Sequence, residues 1–381
     1  MAAAERPVTI GAVGLGYWGP NLARAWNGTE ETELRWVCDL DEDQLGRVGN
    51  LYPHVRRTGS LDDLLADPDL DAVSIATSVP THAALARRAL EAGKHVYVEK
   101  PLAMTAADAR MLRGLAESSG LTLQVGHLLV HHPAVLAIES LLGSGELGGI
   151  HYVYANRVNL GKVRADENAL WSLGPHDVAV LLHLIGEMPV TVSAHGQCFL
   201  RSAVEDVVFG LLRFPSGVIA HLHLSWLDPH KMRRLTVVGS DKMAVFDDMS
   251  ADQKLTVYDK GVTNGGGRGP GYGEALQVRY GDTYIPRISA EEPLRIQSRH
   301  FARCVRGEEA PRSAAVHGVA VVEVLEALQR SLDQQGALVP VETDVVLPLR
   351  RVRQRRATSE RKRASRTAAE RRGALSAVLP S

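Results

Sequence analysis

The run Gly14-Leu-Gly16-Tyr17-Trp18-Gly19 follows directly on the β-branched stretch Val8–Val13 and opens an amphipathic stretch, Pro20–Trp26. Glycines at this spacing leave few folds open. The first permits a tight turn from strand to helix, the second lets the backbone approach a pyrophosphate, and the third allows the helix to pack closely on the strand. The free N–H groups and positive dipole end of that helix then face the phosphates. Asp39 stands twenty residues after Gly19, at the end of a second strand-like run, Leu34–Cys38, where a ribose-binding carboxylate is required. The combination predicts a dinucleotide site built from Gly14, Gly16, Tyr17, Trp18, Gly19 and Asp39. A carboxylate at that point accepts from both ribose hydroxyls and repels a 2′-phosphate, which favours NAD over NADP. Arg47 is the nearby residue that would counter the preference.

The alternation continues. Ala72–Ala76, His95–Glu99 and Leu121–Val125 read as further buried strands, with helix-like segments at Glu42–Leu51, Leu61–Ala66, Thr81–Ala92 and Thr105–Ser118. Strands alternating with helices at this spacing predict a doubly wound parallel sheet, a Rossmann domain over residues 1–126. After a helix at Pro133–Leu142 the pattern changes to longer, partly alternating strands: Ile150–Val158, Thr191–Phe199, Val207–Phe214, Val218–Ser225, Arg234–Val238 and Met243–Asp247. A largely antiparallel open sheet is expected there, in an α+β domain over residues 127–345 that ends with helices at Leu294–Arg306 and Ser313–Leu332. The glycine-rich stretch Gly265–Gly273 reads as a loop. At 381 residues the chain is long enough for these two domains.

Charge separates a third region. From Arg350 onward eleven Lys/Arg stand against Glu360 and Glu370, a net +9 that leaves −10 on the body. A basic tail over residues 346–381 cannot bury enough apolar surface to order itself and is expected to be disordered. It offers the one basic surface for nucleic acid, which is otherwise not an expected partner. No apolar run approaches the roughly 20 residues of a membrane span, and the N-terminus lacks the apolar core of a secretory signal. Three widely spaced cysteines, Cys38, Cys198 and Cys304, exclude a disulfide framework and fit a reducing cytoplasm. The pairs His131-His132 and His221/His223 lack a third ligand at a recognisable spacing, so no metal site is expected.

Lys100, in Glu99-Lys100-Pro101, closes the strand His95–Glu99. Open α/β sheets bind ligands at that end, although a strand-end lysine also snorkels without function. The order of the Gly-x-Gly-x-x-Gly turn, Ala76-Thr77-Ser-Val-Pro80-Thr-His82 and Glu99-Lys100-Pro101 resembles the glucose–fructose oxidoreductase, inositol dehydrogenase and rhizopine-catabolism (Gfo/Idh/MocA) oxidoreductase family over roughly residues 7–345. The resemblance implies that Lys100 lines the active site and that Thr77, Pro80, His82 and Glu99 lie beside the cofactor. It also implies a catalytic His176, with Gly186 ten residues on; alone, His176 reads as a helix-capping or core histidine. Where many relatives carry aspartate, four residues before His176, this chain has Ser172. Asp177 is the remaining nearby carboxylate, but neighbours on a helix point in different directions.

The polar segment 154–171 is similar to the branch of the family acting on nucleotide-linked amino or uronic sugars. That implies substrate contacts from Arg157, Asn159, Arg164, Asn168, Trp171, Ser172 and His176. The expected activity is NAD-dependent hydride transfer at a secondary hydroxyl, C3, of a sugar or nucleotide sugar, by a homodimer or homotetramer formed through the open sheet face. His176 suits the role of base and Lys100 that of alkoxide stabiliser, with the exchanged assignment open. An internal-redox reaction on tightly bound NAD uses the same pair, and the Ser172 substitution leaves a non-catalytic dinucleotide sensor as the third reading.

Overall fold

The structure, a computed structural model, describes residues 6–161, 167–264 and 276–347. Arg164, the expected loop Gly265–Gly273 and the basic tail from Arg350 lie outside these residues. Strands β1 (Val8–Val13), β2 (Thr32–Cys38), β3 (Arg56–Thr58), β4 (Ala72–Ile75), β5 (His95–Val98) and β6 (Leu123–Val125) form one sheet in the order β3-β2-β1-β4-β5-β6. Every pairing in it is parallel. All residues of β1 and β4 are buried, the continuous apolar pattern of strands covered on both faces. The connecting helices are α1 (Gly19–Asn27), α2 (Glu42–Leu51), α3 (Leu61–Leu65), α4 (Val79–Glu91) and α5 (Ala106–Ser119). Strand order reverses between β1 and β4, so a crevice opens at their carboxyl ends, directly beyond Val13 and Ile75.

After α6 (Pro133–Gly143) come β7 (Ile150–Val158), α7 (Ala169–Ile185), β8 (Thr191–Gln197), β9 (Val207–Arg213), β10 (Ile219–Ser225), β11 (Met232–Gly239), β12 (Met243–Asp247) and β13 (Leu255–Tyr258). The short hairpin β14 (Gly261–Asn264) and β15 (Leu276–Arg279) and the strand β16 (Thr283–Tyr284) precede α8 (Pro293–Val305), α9 (Ala315–Asp333) and β17 (Val339–Pro340). Nine of these strands make a sheet in the order β16-β13-β12-β11-β7-β10-β9-β8-β17. It is antiparallel apart from the parallel pair β7–β10. Alternate residues such as Val153, Ala155, Ala220, Leu222 and Leu212 are buried on the face covered by α7 and α9, while Tyr152, Phe209 and Ile219 are exposed on the other. The fold is thus a Rossmann domain followed by an α+β domain with a mostly antiparallel open sheet.

The chain returns to its beginning through α8, which packs on the first sheet. Phe301 closes an aromatic cluster with Trp26 and Tyr97, at ring-centroid separations of 5.2, 5.6 and 5.8 Å. Such pairs contribute about 0.5–1.5 kcal/mol each beyond their buried area. The Trp26 indole donates to Ser74 Oγ at 3.0 Å and the Tyr97 hydroxyl to Gln297 Oε1 at 3.0 Å, so the polar tips inside the cluster are satisfied. No helix among the described residues is long and apolar enough to cross a membrane.

The glycines of the first turn differ in what surrounds them. A Cβ on Gly19 would lie 1.9 Å from the Gly14 carbonyl oxygen, whereas one on Gly16 would meet nothing within 4 Å. Gly19→Ala should therefore destabilise the protein by roughly 1–3 kcal/mol, the range for overpacking, and Gly16→Ala should leave stability unchanged. Urea unfolding of both variants checks this; equal midpoints would contradict it.

Candidate active site

A cleft of about 1710 Å³ runs from the carboxyl ends of β1 and β4 to the inner face of the nine-stranded sheet near β7 and β11. Pockets for one small ligand usually enclose roughly 300–1,000 Å³, and this cleft exceeds that range.

In its first half, Gly14 has φ +88°, and a Cβ there would lie 2.7 Å from the backbone of Ala76 and Thr77. The glycine turn thus rests directly on the loop after β4. Trp18 precedes α1 without capping it through its side chain; in the first turn Pro20 has no N–H and the Asn21 N–H donates to the Trp18 carbonyl at 2.9 Å, so the positive dipole end of the helix, rather than free first-turn N–H groups, is what favours an anion there. Asp39 Oδ2 accepts from Leu15 N at 2.5 Å and Oδ1 from Asp41 N at 2.9 Å, so the carboxylate both fixes the turn and lines the cleft. Arg47 is exposed and does not line it; the cation on this side is Arg88, ion-paired with Asp62. A positive-φ turn, an open approach at Gly16 and a carboxylate on the neighbouring strand end fit a dinucleotide with an unmodified ribose.

Thr77, Tyr17, Trp18, His82, Glu99 and Lys100 all line this cleft. Pro80 does not: it occupies the first turn of α4, exposed, where a missing N–H costs nothing. His82 is buried, with Nδ1 2.9 Å from the Pro101 carbonyl and Nε2 3.2 Å from that of Thr77. It ties the loop after β4 to the one after β5. Burial lowers its pKa, against the opposing pull of the two carbonyls.

At the junction of the two halves, Lys100 Nζ donates to the Ser172 carbonyl at 3.2 Å. Ser172 lies one turn before His176 on α7, on the same face, so the first domain's lysine meets the helix that carries the histidine. His176 lines the cleft, while its Nδ1 is buried. Burial, followed by the charges of Lys100 and Arg157, holds its pKa well below the ordinary histidine range. The ring therefore rests neutral at neutral pH, with a lone pair able to accept a proton. Burial also pushes the Glu99 carboxyl up to about 7, against Lys100, the Lys100 N–H, the Tyr97 hydroxyl and Trp18, which all favour its charged form.

Several expected substrate contacts have other roles. Arg157 Nε and Nη2 donate to Asp177 at 2.6 and 3.0 Å, both residues being buried, so the guanidinium is committed to an internal bidentate pair although it borders the cleft. The same pair removes Asp177 as a partner for His176. Asn168 caps α7 by accepting from Trp171 N, and its amide donates to Glu205 and Gln329. The Trp171 indole also donates to Gln329, at 3.2 Å. Neither Asn168 nor Trp171 lines the cleft, because both are drawn toward α9 and the loop before β9. Asn159 and Ser172 do line it.

The sequence reading missed Arg233, Asp248, Lys254, Arg287 and His132, which line the second half. Arg233 is the cross-strand neighbour of Arg157. Asp248 lies between Arg233 at 3.5 Å and Lys254 at 3.7 Å, while Lys254 Nζ also donates to the Asp248 carbonyl at 2.9 Å. The inward alternation of β11 was the one local signal for Arg233; the others depend on tertiary placement. Among the described residues no three His, Cys, Asp or Glu side chains are grouped to hold a metal.

Comparison with known proteins places this geometry. Residues 8–127 match the model of the oxidoreductase family, NAD-binding Rossmann fold, of the GFO/IDH/MocA group, and residues 135–245 match its C-terminal domain. UDP-N-acetylglucosamine 3-dehydrogenase of Acidithiobacillus ferrooxidans is 30% identical over 253 residues, 66% of this chain and 77% of that protein. Its solved structure superposes with a TM-score of 0.72 at 25% identity, covering 86% of this chain and 98% of that one. D-apiose dehydrogenase of Paraburkholderia graminis is 26% identical over 83% of this chain and 85% of its own length. GenD2 from gentamicin A biosynthesis, solved in complex with NAD, gives a TM-score of 0.74 at 25% identity, covering 90% of this chain and 98% of that one.

The buried Glu99 carboxyl generates a stability test. Its folded pKa, about 7, lies above the ordinary value. The stability tied to its neutral form is therefore complete below about pH 4.3 and is lost as pH rises through 7. Glu99→Gln stays neutral throughout, so its melting temperature relative to the unsubstituted protein should climb between pH 5 and 8. A difference that stays constant across that range would show that Glu99 is ionised in the fold throughout.

Proposed function

The chain belongs to the Gfo/Idh/MocA family of NAD-dependent sugar oxidoreductases, and from that premise we propose that it oxidises the C3 hydroxyl of a nucleotide-linked sugar, or reduces the corresponding ketone. The observation that carries the reading is the contact between Lys100 Nζ and the Ser172 carbonyl, one turn before His176. It brings the two groups needed at a reacting hydroxyl to the boundary between the cofactor half and the sugar half of one cleft. The nicotinamide, when bound, supplies the hydride acceptor. Gly14, Gly16, Tyr17, Trp18 and Asp39 would hold the dinucleotide, with Thr77, His82 and Glu99 flanking its reactive end.

In this reading the neutral His176 takes the hydroxyl proton, and the Lys100 ammonium stabilises the negative charge that develops on the same oxygen. Ser172 contributes its backbone carbonyl, which holds the ammonium in place; its hydroxyl has no part in the proton transfer. The nucleotide-linked substrate is supported by the similarity to the UDP-N-acetylglucosamine enzyme and by Arg233, Lys254 and Arg287 on the sugar side, where a diphosphate needs cations. Assembly through the open sheet face, where Tyr152, Phe209 and Ile219 are exposed, completes the proposal.

Incubation with NAD and UDP-N-acetylglucosamine, followed by NADH absorbance and product analysis, tests it. NADH with a 3-keto product is expected; product without NADH would favour the internal-redox reaction, and NAD binding without turnover of any sugar nucleotide would favour a sensor. Lys100→Ala and His176→Ala should each lower kcat by roughly 10²–10⁴, the range for lost acid–base help, with NAD affinity nearly unchanged. Ser172→Ala should cost much less. Full turnover by His176→Ala would move the base to another residue.

A further inference from the structure

In the sheet order β3-β2-β1-β4-β5-β6, Asp39 stands beyond β2, the glycine turn beyond β1 and Glu99 beyond β5, all three on the cleft. Neighbouring strands lie about 4.8 Å apart, so Asp39 and Glu99 mark two ends of the crevice, three strand spacings or roughly 14 Å from each other. A dinucleotide whose adenosine ribose meets Asp39 and whose pyrophosphate crosses the glycine turn runs its nicotinamide end toward Glu99. Glu99 is partly buried there, and its carboxyl is closely packed: a Cβ on Gly126 would come within 2.7 Å of Glu99 Oε1. Lys100 N donates to Oε2 at 3.3 Å, and the Tyr97 hydroxyl reaches Oε1 at 3.3 Å. That hydroxyl has one proton and a closer acceptor in Gln297 Oε1, at 3.0 Å, so it gives the carboxyl little.

The Lys100 ammonium is the charge that favours the carboxylate, and it also reaches across to the Ser172 carbonyl. Trp18 before α1 and Gln297 on α8 add only neutral groups. Burial outweighs these contacts and holds the carboxyl at about 7, where its charge changes near neutral pH. The other titratable groups on the surrounding elements keep theirs. Burial lowers His82 on α4, His127 after β6 and His176 on α7, and it pushes the Tyr97 hydroxyl well above its ordinary value. We propose that Glu99 discriminates between the two redox states of the cofactor: it releases its proton when the cationic ring of NAD binds beside it and keeps that proton beside the neutral ring of NADH. The two cofactors share adenosine, riboses and pyrophosphate, and differ in that ring charge. An opposite charge stabilises the carboxylate, and by reciprocity the carboxylate strengthens NAD binding by the same factor. The protein therefore loads with the oxidised cofactor more strongly as pH rises through neutrality. With NAD saturating, the proton has already left near neutral pH, so the linkage shows in cofactor affinity rather than in turnover of the sugar.

The inference rests on the dinucleotide reading above and is independent of which sugar reacts, so its test needs no substrate. The full chain is titrated with NAD and with NADH from pH 5.5 to 8.5, following tryptophan fluorescence. The NAD Kd should fall roughly tenfold across that range, the factor for a shift of one pKa unit, while the NADH Kd does not improve. Calorimetry at pH 6.5 in two buffers of different ionisation enthalpy should show net proton release on binding NAD and none on binding NADH. In Glu99→Gln, which keeps the shape and stays neutral, NAD affinity should lose its pH dependence and remain at the weaker value that the unsubstituted protein shows at pH 5.5. The calorimetric measurement uses no variant, so it decides the matter even if the glutamine protein folds poorly. Parallel pH profiles for the two cofactors, or an NAD profile that survives Glu99→Gln, would overturn the role of Glu99 and leave the dinucleotide site in place. Failure to bind either cofactor would overturn both.

Discussion

The buried pair of Arg157 and Asp177 sets the geometry on which the cleft depends. Arg157 projects inward from the end of β7, and Asp177 projects from α7 to meet it through two hydrogen bonds. Removing one partner of such a pair costs about 3–5 kcal/mol, because the other is left charged and buried. The pair therefore fixes both the position of α7 on the nine-stranded sheet and its rotation about its own axis. Successive helical residues differ by about 100° in direction. Locking Asp177 onto the sheet turns His176 toward the cleft and Ser172 toward Lys100.

The first domain contributes a rigid counterpart. Its sheet is buried on both faces, and the aromatic cluster of Trp26, Tyr97 and Phe301 ties α8 to the same layer that carries Glu99 and Lys100. The two domains are thus not free to choose where they meet. The price of this arrangement is a set of titratable groups held away from water: Glu99 near 7, and histidines pushed down, His317 to about 3. Perturbed values of this kind cluster where proton transfer is organised.

Much of this was legible in the chain, wherever the signal was local. Val8–Val13 and the glycine turn specify a strand, a turn and a helix without outside help, and Asp39 follows from a fixed distance. Lys100 and His176 were found through resemblance rather than physics, since a strand-end lysine and a helical histidine look ordinary alone. The edge strand β3, three residues with Arg56 and Arg57 exposed, had no apolar pattern to reveal it. Arg157, Asn168 and Trp171 looked like substrate contacts because their partners are distant: Asp177 twenty residues on, Gln329 about 160. Arg233 and Lys254 reach the cleft only through the register of β11 with β7 and the turn between β12 and β13. A polar residue on a strand declares its face, and nothing in the local sequence declares what that face meets.

The account turns on a neutral His176 accepting the hydroxyl proton, and the pH dependence of kcat/KM for NADH formation measures that state in the free enzyme. Burial and the charges of Lys100 and Arg157 lower its pKa, so activity should hold from neutral pH downward and fall with one proton only below the ordinary histidine value of about 6.5. His176→Asn should abolish that acid limb along with most of the rate. An acid limb at or above 6.5, or one that survives in His176→Asn, would contradict the account and place the proton acceptor elsewhere.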